Sequence, residues 1–206
     1  RLGHDVRRLP AGARFLDAVR ESRLDIVFNI AEGEGGRCRE AHVPAVLEML
    51  GLTYVGSDPL TLSITLDKPV AKKLAAHEGF PTPAFRTFRS ADEFTEWPLP
   101  FPVIVKPVFE GSSKGVRLSS RASDFAQARE MVRFVTETYR QEALVEAFVP
   151  GAEVTVGILG NDTPRVAGMM EIVPKTVHPS EFVYSLEVKR DWENRVSYRV
   201  PPALPG

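Results

Sequence analysis

The segment Asp25-Ile-Val-Phe-Asn-Ile30 is a short, nearly continuous apolar run, followed at once by a glycine-rich loop from Glu32 to Gly36. Such a run is the pattern of a strand buried on both faces of a parallel sheet. Val43, Val46, Leu47 and Leu50 then mark one face of a helix that Gly51 ends, and Thr53-Tyr-Val55 is a second strand. Strand, helix and strand in that order predict a doubly wound α/β layer for the first part of the chain.

Beyond it, Asp58-Pro59 and Asp67-Lys68-Pro69 each read as an N-cap followed by proline in the first helical turn. Gly79-Phe-Pro-Thr-Pro83 stops the second helix, and Ser90 with Glu93 forms a capping-box pattern. Phe101 to Lys106 predicts a strand, Gly111 to Gly115 a turn, and Val116-Arg-Leu118 the return limb of a hairpin. Phe125, Ala128, Val132, Val135 and Tyr139 keep helical spacing. From Ala143 the texture becomes that of an antiparallel sheet: Leu144 to Val149, Val154 to Ile158, Arg165 to Val173 and a mixed stretch from Phe182 to Tyr198. The chain thus reads as α/β first and α+β afterwards, with divisions at 1–57, 58–143 and 144–206.

The bulk numbers exclude some partners. With 206 residues, 43% hydrophobic, a net charge of −1 and a pI near 6.5, nothing basic argues for nucleic acid. The longest apolar run, Phe101 to Val105, is interrupted by Pro102 and closed by Lys106, too short to span a bilayer. The first residues carry no signal-peptide pattern, reading instead as a helix end that leads into a strand. Both ends look like interior points of a longer chain. The single cysteine, Cys38, fits a reducing cytoplasm. It lies between Arg37 and Arg39, which would favour a thiolate, yet a spectator thiol is the simpler reading. His4, His42, His77 and His178 show no metal-ligand spacing.

Four features converge on a nucleotide. Lys106, at the carboxyl end of an apolar strand, can aim a compact charge at a polyphosphate. Glu110-Gly-Ser-Ser-Lys-Gly-Val116 is rich in small residues whose backbone N–H groups can converge on an anion. Leu144-Val-Glu-Ala-Phe-Val149 places one carboxylate, Glu146, in an apolar strand that can cover a base, with Glu153 close behind. Asp67-Lys68 puts a lysine at a helix start, where it can reach a phosphate. Taken singly, each has a plainer reading: a solvated strand end, a flexible hairpin tip, a solvent-facing glutamate, a capped helix. Together they spell K-P-x-x-E-G-S-S-x-G-V and its companions in a fixed order.

In that order they resemble the D-alanine–D-alanine ligase family of the ATP-grasp superfamily. Gly51-Leu-Thr-Tyr-Val-Gly-Ser57, Asp67-Lys68 and Gly79-Phe-Pro-Thr-Pro83 are similar to its linker segment, and Lys106 to Val116 and Leu144 to Glu153 to its ATP clamp. The resemblance implies an ATP-grasp fold: a parallel α/β domain followed by a two-lobed clamp whose second lobe is incomplete. It implies that Lys68 and Lys106 hold ATP phosphates, and that Glu110, Gly111, Ser112, Ser113 and Gly115 form the loop closing over them. Glu146 would take the adenine amino group, with the backbone of Ala147 and Val149 facing the ring and Glu153 on the ribose. Tyr184-Ser-Leu-Glu-Val-Lys189 resembles the family's mobile loop. Lys189 and Ser112 are the expected catalytic residues. The implied reaction phosphorylates a carboxylate with ATP, after which an amine displaces phosphate. Magnesium is expected as a second cofactor, with its ligands outside this sequence. Small amino acids are the expected partners, and a homodimer stays open.

The sequence also departs from that family. Where the family has His-Gly followed by Gly-Glu-Asp-Gly, this chain reads Glu32-Gly-Glu-Gly-Gly-Arg-Cys-Arg-Glu40, and Leu186 and Arg190 stand where tyrosines often flank the loop lysine. Three readings follow: a D-alanine-type ligase, an ATP-grasp ligase for another amino acid or peptide, and an ATP-binding module without catalysis. A dinucleotide-binding protein is disfavoured, because no G-x-G-x-x-G follows the first strand.

Overall fold

The computed structural model describes residues 2–204. The fold divides into two compact units, one ending at Pro81 and one starting at Thr82.

In the first unit, helix α1 (Phe15–Arg20) and strand β1 (Val27–Phe28) precede helix α2 (His42–Met49) and strand β2 (Tyr54–Val55). β1 and β2 pair in parallel, Val27 opposite Tyr54, as the strand–helix–strand pattern predicts. Phe15, Val19, Val43 and Leu47 form the core between α1 and α2. The strand is shorter than the six-residue run suggests. Phe28 and Ile30 are 74% and 80% exposed, because β1 has only one hydrogen-bonded neighbour among the described residues.

Two helices complete the unit, α3 (Pro59–Leu66) and α4 (Lys68–His77). The Asp58 carboxylate accepts from the N–H groups of Leu60 and Thr61 at 2.9 and 3.0 Å. Asp67 accepts from the Val70 N–H at 3.1 Å. Both caps behave as the sequence predicts. By contacts these helices belong to the first unit, not to the segment that follows.

The second unit begins with a four-stranded sheet in the order β3-β6-β4-β5. Its strands are β3 (Phe85–Phe88), β4 (Val103–Pro107), β5 (Arg121–Ala122) and β6 (Ala143–Ala147), with helix α5 (Phe125–Tyr139) on one face. Val103, Val105, Val145, Ala128, Val132 and Val135 make the core between sheet and helix. Three expectations need correction. The return limb of the hairpin is Arg121–Ala122 rather than Val116 to Leu118, since Leu118–Ser120 winds into a 3₁₀ turn. β6 joins β3 and β4 instead of opening the later sheet, its apolar residues matching the interior of this one. The Ser90–Glu93 box starts no helix. There the Glu93 carboxylate accepts from the Arg89 N–H at 2.8 Å and closes a turn.

A separate antiparallel sheet follows, in the order β7-β8-β9: β7 (Glu153–Leu159), β8 (Arg165–Pro174) and β9 (Val196–Arg199). The stretch between β8 and β9 folds into two short helices, α6 (Leu186–Arg190) and α7 (Trp192–Arg195). No helix among the described residues is long and apolar enough to cross a membrane.

Candidate nucleotide site

Alternation along β4 and β6 separates the two faces of the first sheet. Val103, Val105 and Val145 turn toward α5, so Ile104, Lys106, Leu144 and Glu146 turn the other way. Glu146 lies opposite Ile104, and Lys106 lies opposite Leu144, which makes Lys106 and Glu146 diagonal neighbours. Their side chains form an ion pair, 23% and 8% exposed respectively. Arg121 stands opposite Ile104 from the other side, its guanidinium 5.1 Å from the centroid of the Phe148 ring. The sheet face turned away from α5 thus gathers Lys106, Glu146 and Arg121, with Glu146 and Leu144 buried there.

The chain leaves β4 and runs into the glycine loop. The Lys114 N–H donates to the Gly111 carbonyl at 2.9 Å, and the two central residues, Ser112 and Ser113, have φ of 51° and 60°. Positive φ at both is the geometry of a type I′ turn, which non-glycine residues adopt at a cost. A second turn follows, the Val116 N–H donating to the Ser113 carbonyl at 2.9 Å, with Gly115 at φ 80°. A Cβ on Gly115 would come within 2.3 Å of Pro107 Cγ, so only glycine lets the loop fold back on the lysine–proline pair. Both serines thus hold a backbone conformation that costs free energy and must be kept by the surrounding contacts.

The base of the loop is clamped. The Gln141 amide oxygen accepts from the Phe109 N–H and its NH₂ donates to the Glu110 carboxylate, both at 2.9 Å. Lys114 Nζ lies 3.3 Å from the other Glu110 oxygen, and the Glu110 side chain is 9% exposed. Glu110 therefore braces the loop from within. The sequence offered no sign of Gln141, because a glutamine before a strand carries no pattern of its own.

The loop is also tied to a distant segment. Ser113 Oγ donates to the Tyr184 carbonyl at 2.7 Å, and the Leu186 N–H donates to the Val116 carbonyl at 2.9 Å. Residues read as a mobile loop thus begin a helix. The buried Ser185 caps α6 through the Val188 N–H at 3.4 Å, and Lys189, within it, lies 5.0 Å from the centroid of the Tyr184 ring. The Tyr184 hydroxyl is 3.3 Å from that of Tyr198. Burial, that hydrogen bond and the Glu153 carboxylate push the Tyr184 phenol up to about 12. Glu153, the first residue of β7, is exposed and close enough to act on that phenol.

The remaining expected residues are less concentrated. The Ala147 N–H donates to the Ala84 carbonyl at 3.0 Å within the sheet, and Val149 is exposed beyond the end of β6. Lys68 opens α4 in the first unit, next to Asp67, whose buried carboxylate pairs with Arg37. Arg39 is buried, with its guanidinium 3.4 Å from the Gly36 carbonyl. Glu32 and Glu34 are exposed and Cys38 is a free, exposed thiol. Among the described residues no group of three or more His, Cys, Asp or Glu comes together to hold a metal ion.

The sequence profile described as "D-ala D-ala ligase C-terminus" matches residues 74–205, most of the chain. The chain belongs to the D-alanine–D-alanine ligase family. Its relatives include an uncharacterised protein of Sinorhizobium fredii, 43% identical over 146 residues, covering 71% of this chain and 42% of the relative. A D-alanine–D-alanine ligase of Gluconobacter oxydans is 35% identical over 175 residues, 84% of this chain and 55% of the relative. The crystal structure of the VanG D-Ala:D-Ser ligase of Enterococcus faecalis superposes with a TM-score of 0.66 at 25% identity, covering 90% of this chain and 52% of that one. The chain thus spans about half the length of these relatives, and its mixed α/β architecture is that of the VanG ligase, the ATP-grasp fold.

Proposed function

We propose that the protein carrying this chain is an ATP-dependent ligase that joins the carboxylate of one small amino acid, of the D-alanine type, to the amine of another. The observation that supports this most is the stitching of the strained Ser112–Ser113 turn to the segment bearing Lys189. A phosphate-binding turn and a lysine for the transferred phosphoryl group are thereby held together in one unit. Lys106 and Glu146, on the sheet face turned away from α5, suit the phosphates and the adenine amino group of ATP. Binding would exchange their mutual ion pair for contacts with the nucleotide. Glu146 accepts from the amino group and Glu153 from the ribose hydroxyls, while N–H groups of the Gly111 to Gly115 turns donate to the β- and γ-phosphates.

A substrate carboxylate oxygen attacks the γ-phosphorus, and ADP leaves with the bridging oxygen. The amine nitrogen of the second amino acid then attacks the acyl carbon, the C–O bond to the phosphate breaks, and inorganic phosphate leaves as the nitrogen gives up a proton and the amide forms. Lys189 and Ser112 would hold the phosphoryl group in place during its transfer. The magnesium that the family implies would neutralise phosphate charge. Among the described residues no group of three or more His, Cys, Asp or Glu forms a ligand set for it. The cytoplasm is the proposed location, where ATP and free amino acids meet.

A second reading, a ligase for a different amino acid, is favoured by the loop that follows β1. Arg37 is paired with Asp67 and Arg39 is buried, so both arginines are engaged inside the first unit. Glu32 and Glu34 are exposed on the same loop, and acid at that place suits a substrate with an extra cationic group. Phosphate release with ATP, magnesium and a panel of D- and L-amino acids separates the readings. Release with D-alanine alone supports the first, and release with a basic amino acid supports the second. No release with any member of the panel would leave only an ATP-binding module.

A further inference from the structure

Tyr184 makes three contacts in three directions. Its carbonyl accepts from Ser113 Oγ at 2.7 Å, its hydroxyl meets that of Tyr198 on β9 at 3.3 Å, and its ring lies 5.0 Å from Lys189 Nζ. The neighbouring Phe182 ring, 6.1 Å away, packs beside it. The next residue, Ser185, is fully buried and fixes the start of α6, its carbonyl accepting from the Lys189 N–H at 3.0 Å. Lys189 is thus anchored at its backbone through Ser185, while its ammonium is offered the negative face of an aromatic ring.

We propose that Tyr184 is a positioning residue for this reaction, seating the Lys189 ammonium on its ring and tying it through its carbonyl to the glycine loop. The argument is geometric. A lysine has four rotatable side-chain bonds and loses rotamer freedom when it must hold one position. An aromatic face restricts it without neutralising its charge, as a carboxylate partner would. The ring is itself restrained by the Tyr198 hydroxyl, and the backbone of the same residue is held by Ser113. Movement of the turn is therefore transmitted to the lysine through one residue.

The proposal rests on the ligase reading for the role of Lys189, so the test carries a measurement that needs no turnover. In the protein carrying this chain, Tyr184→Leu and Tyr184→Phe are compared by steady-state kinetics with ATP. They are also compared by trace labelling with acetic anhydride at fixed pH, with Lys189 quantified against Lys73 by mass spectrometry. Tyr184→Leu is expected to lower kcat about tenfold with the KM for ATP nearly unchanged, the signature of a misplaced catalytic group. Its Lys189 labelling should rise roughly two- to fivefold as the ring no longer covers one side of the amine and restricts its approach. Tyr184→Phe, which keeps the ring, should restore both values to near those of the parent. Equal behaviour of the leucine and phenylalanine variants in both measurements overturns the proposal, as does a leucine variant altered only in melting temperature. Tyr184→Met serves the same comparison should the leucine variant not fold. A parent protein without ATP-dependent turnover would count against the ligase reading, while the labelling contrast would still decide whether the ring seats the lysine.

Discussion

Lys106 and Glu146 are diagonal neighbours on adjacent antiparallel strands, and their charges pair on the sheet face turned away from α5. The glutamate is the more buried of the two, so losing the lysine's charge costs it more than the reverse. Lys106→Ala should therefore cost stability as well as nucleotide affinity, about 1–3 kcal/mol of it from a buried carboxylate left without its partner. The double variant Lys106→Met, Glu146→Leu should recover most of that stability, because apolar replacement of a buried pair is close to neutral. It should not recover ATP binding. Chemical denaturation and calorimetric titration on the three proteins check this, and an ATP affinity restored in the double variant would refute it.

Gly115→Ala is expected to disturb the loop directly. The added methyl meets Pro107 Cγ at 2.3 Å at a residue whose φ is 80°. Strain from the left-handed backbone alone is about 1–2 kcal/mol, and displacement of the turn should abolish ATP binding. Lys114→Ala, one position earlier, should matter far less, since its exposed side chain reaches Glu110 at 3.3 Å and its removal leaves the backbone N–H groups of the loop intact. Equal losses of affinity in the two variants would show that the loop does not act through its backbone.

Glu32→Gln and Arg37→Ala should separate substrate choice from stability. Arg37 pairs with the buried cap of α4, so its loss should lower the stability of the first unit by about 1 kcal/mol and leave the preference among amino acids unchanged. Glu32→Gln should shift that preference away from cationic amino acids with little change in melting temperature. Unaltered turnover of D-alanine in both variants would rule out a part for this loop in selecting the substrate.

Two phenols should titrate late. Burial and the Glu48 carboxylate, 2.8 Å from its hydroxyl, push Tyr54 up to about 12, and burial with the Tyr198 hydroxyl does the same for Tyr184. Both values are raised in the folded state, so the stability each contributes is fully present below the ordinary value of 10.0. It is lost as pH climbs toward 12. Absorbance titration at alkaline pH should show a late step that Tyr54→Phe reduces. A step for Tyr54 at the ordinary tyrosine value would contradict the assigned hydrogen bond.

Much of this arrangement could be read in the sequence. The caps at Asp58 and Asp67, the parallel pair around α2, and α5 with its core face all follow from local pattern. Lys106 and Glu146 were legible as separate candidates, but their pairing depends on register, which no single strand carries. Sheet membership of β6 was misread for the same reason: an apolar strand does not announce its neighbours. α6 escaped notice because five residues capped by one buried serine leave little periodicity to detect. Gln141 and Tyr184 act through backbone groups and a ring face, which composition does not mark.

The bond from Ser113 to Tyr184 joins residues 71 positions apart. Closing so long a loop is entropically slow, and it yields little until α5 and the first sheet already stand. The glycine loop should therefore acquire its working shape late in folding, after most helical signal has returned. Refolding followed in parallel by circular dichroism and by a fluorescent ATP analogue should show binding lagging behind secondary structure. Coincident traces would place the loop among the early contacts. On this view a newly made chain passes through an interval in which it is folded in outline yet blind to its nucleotide.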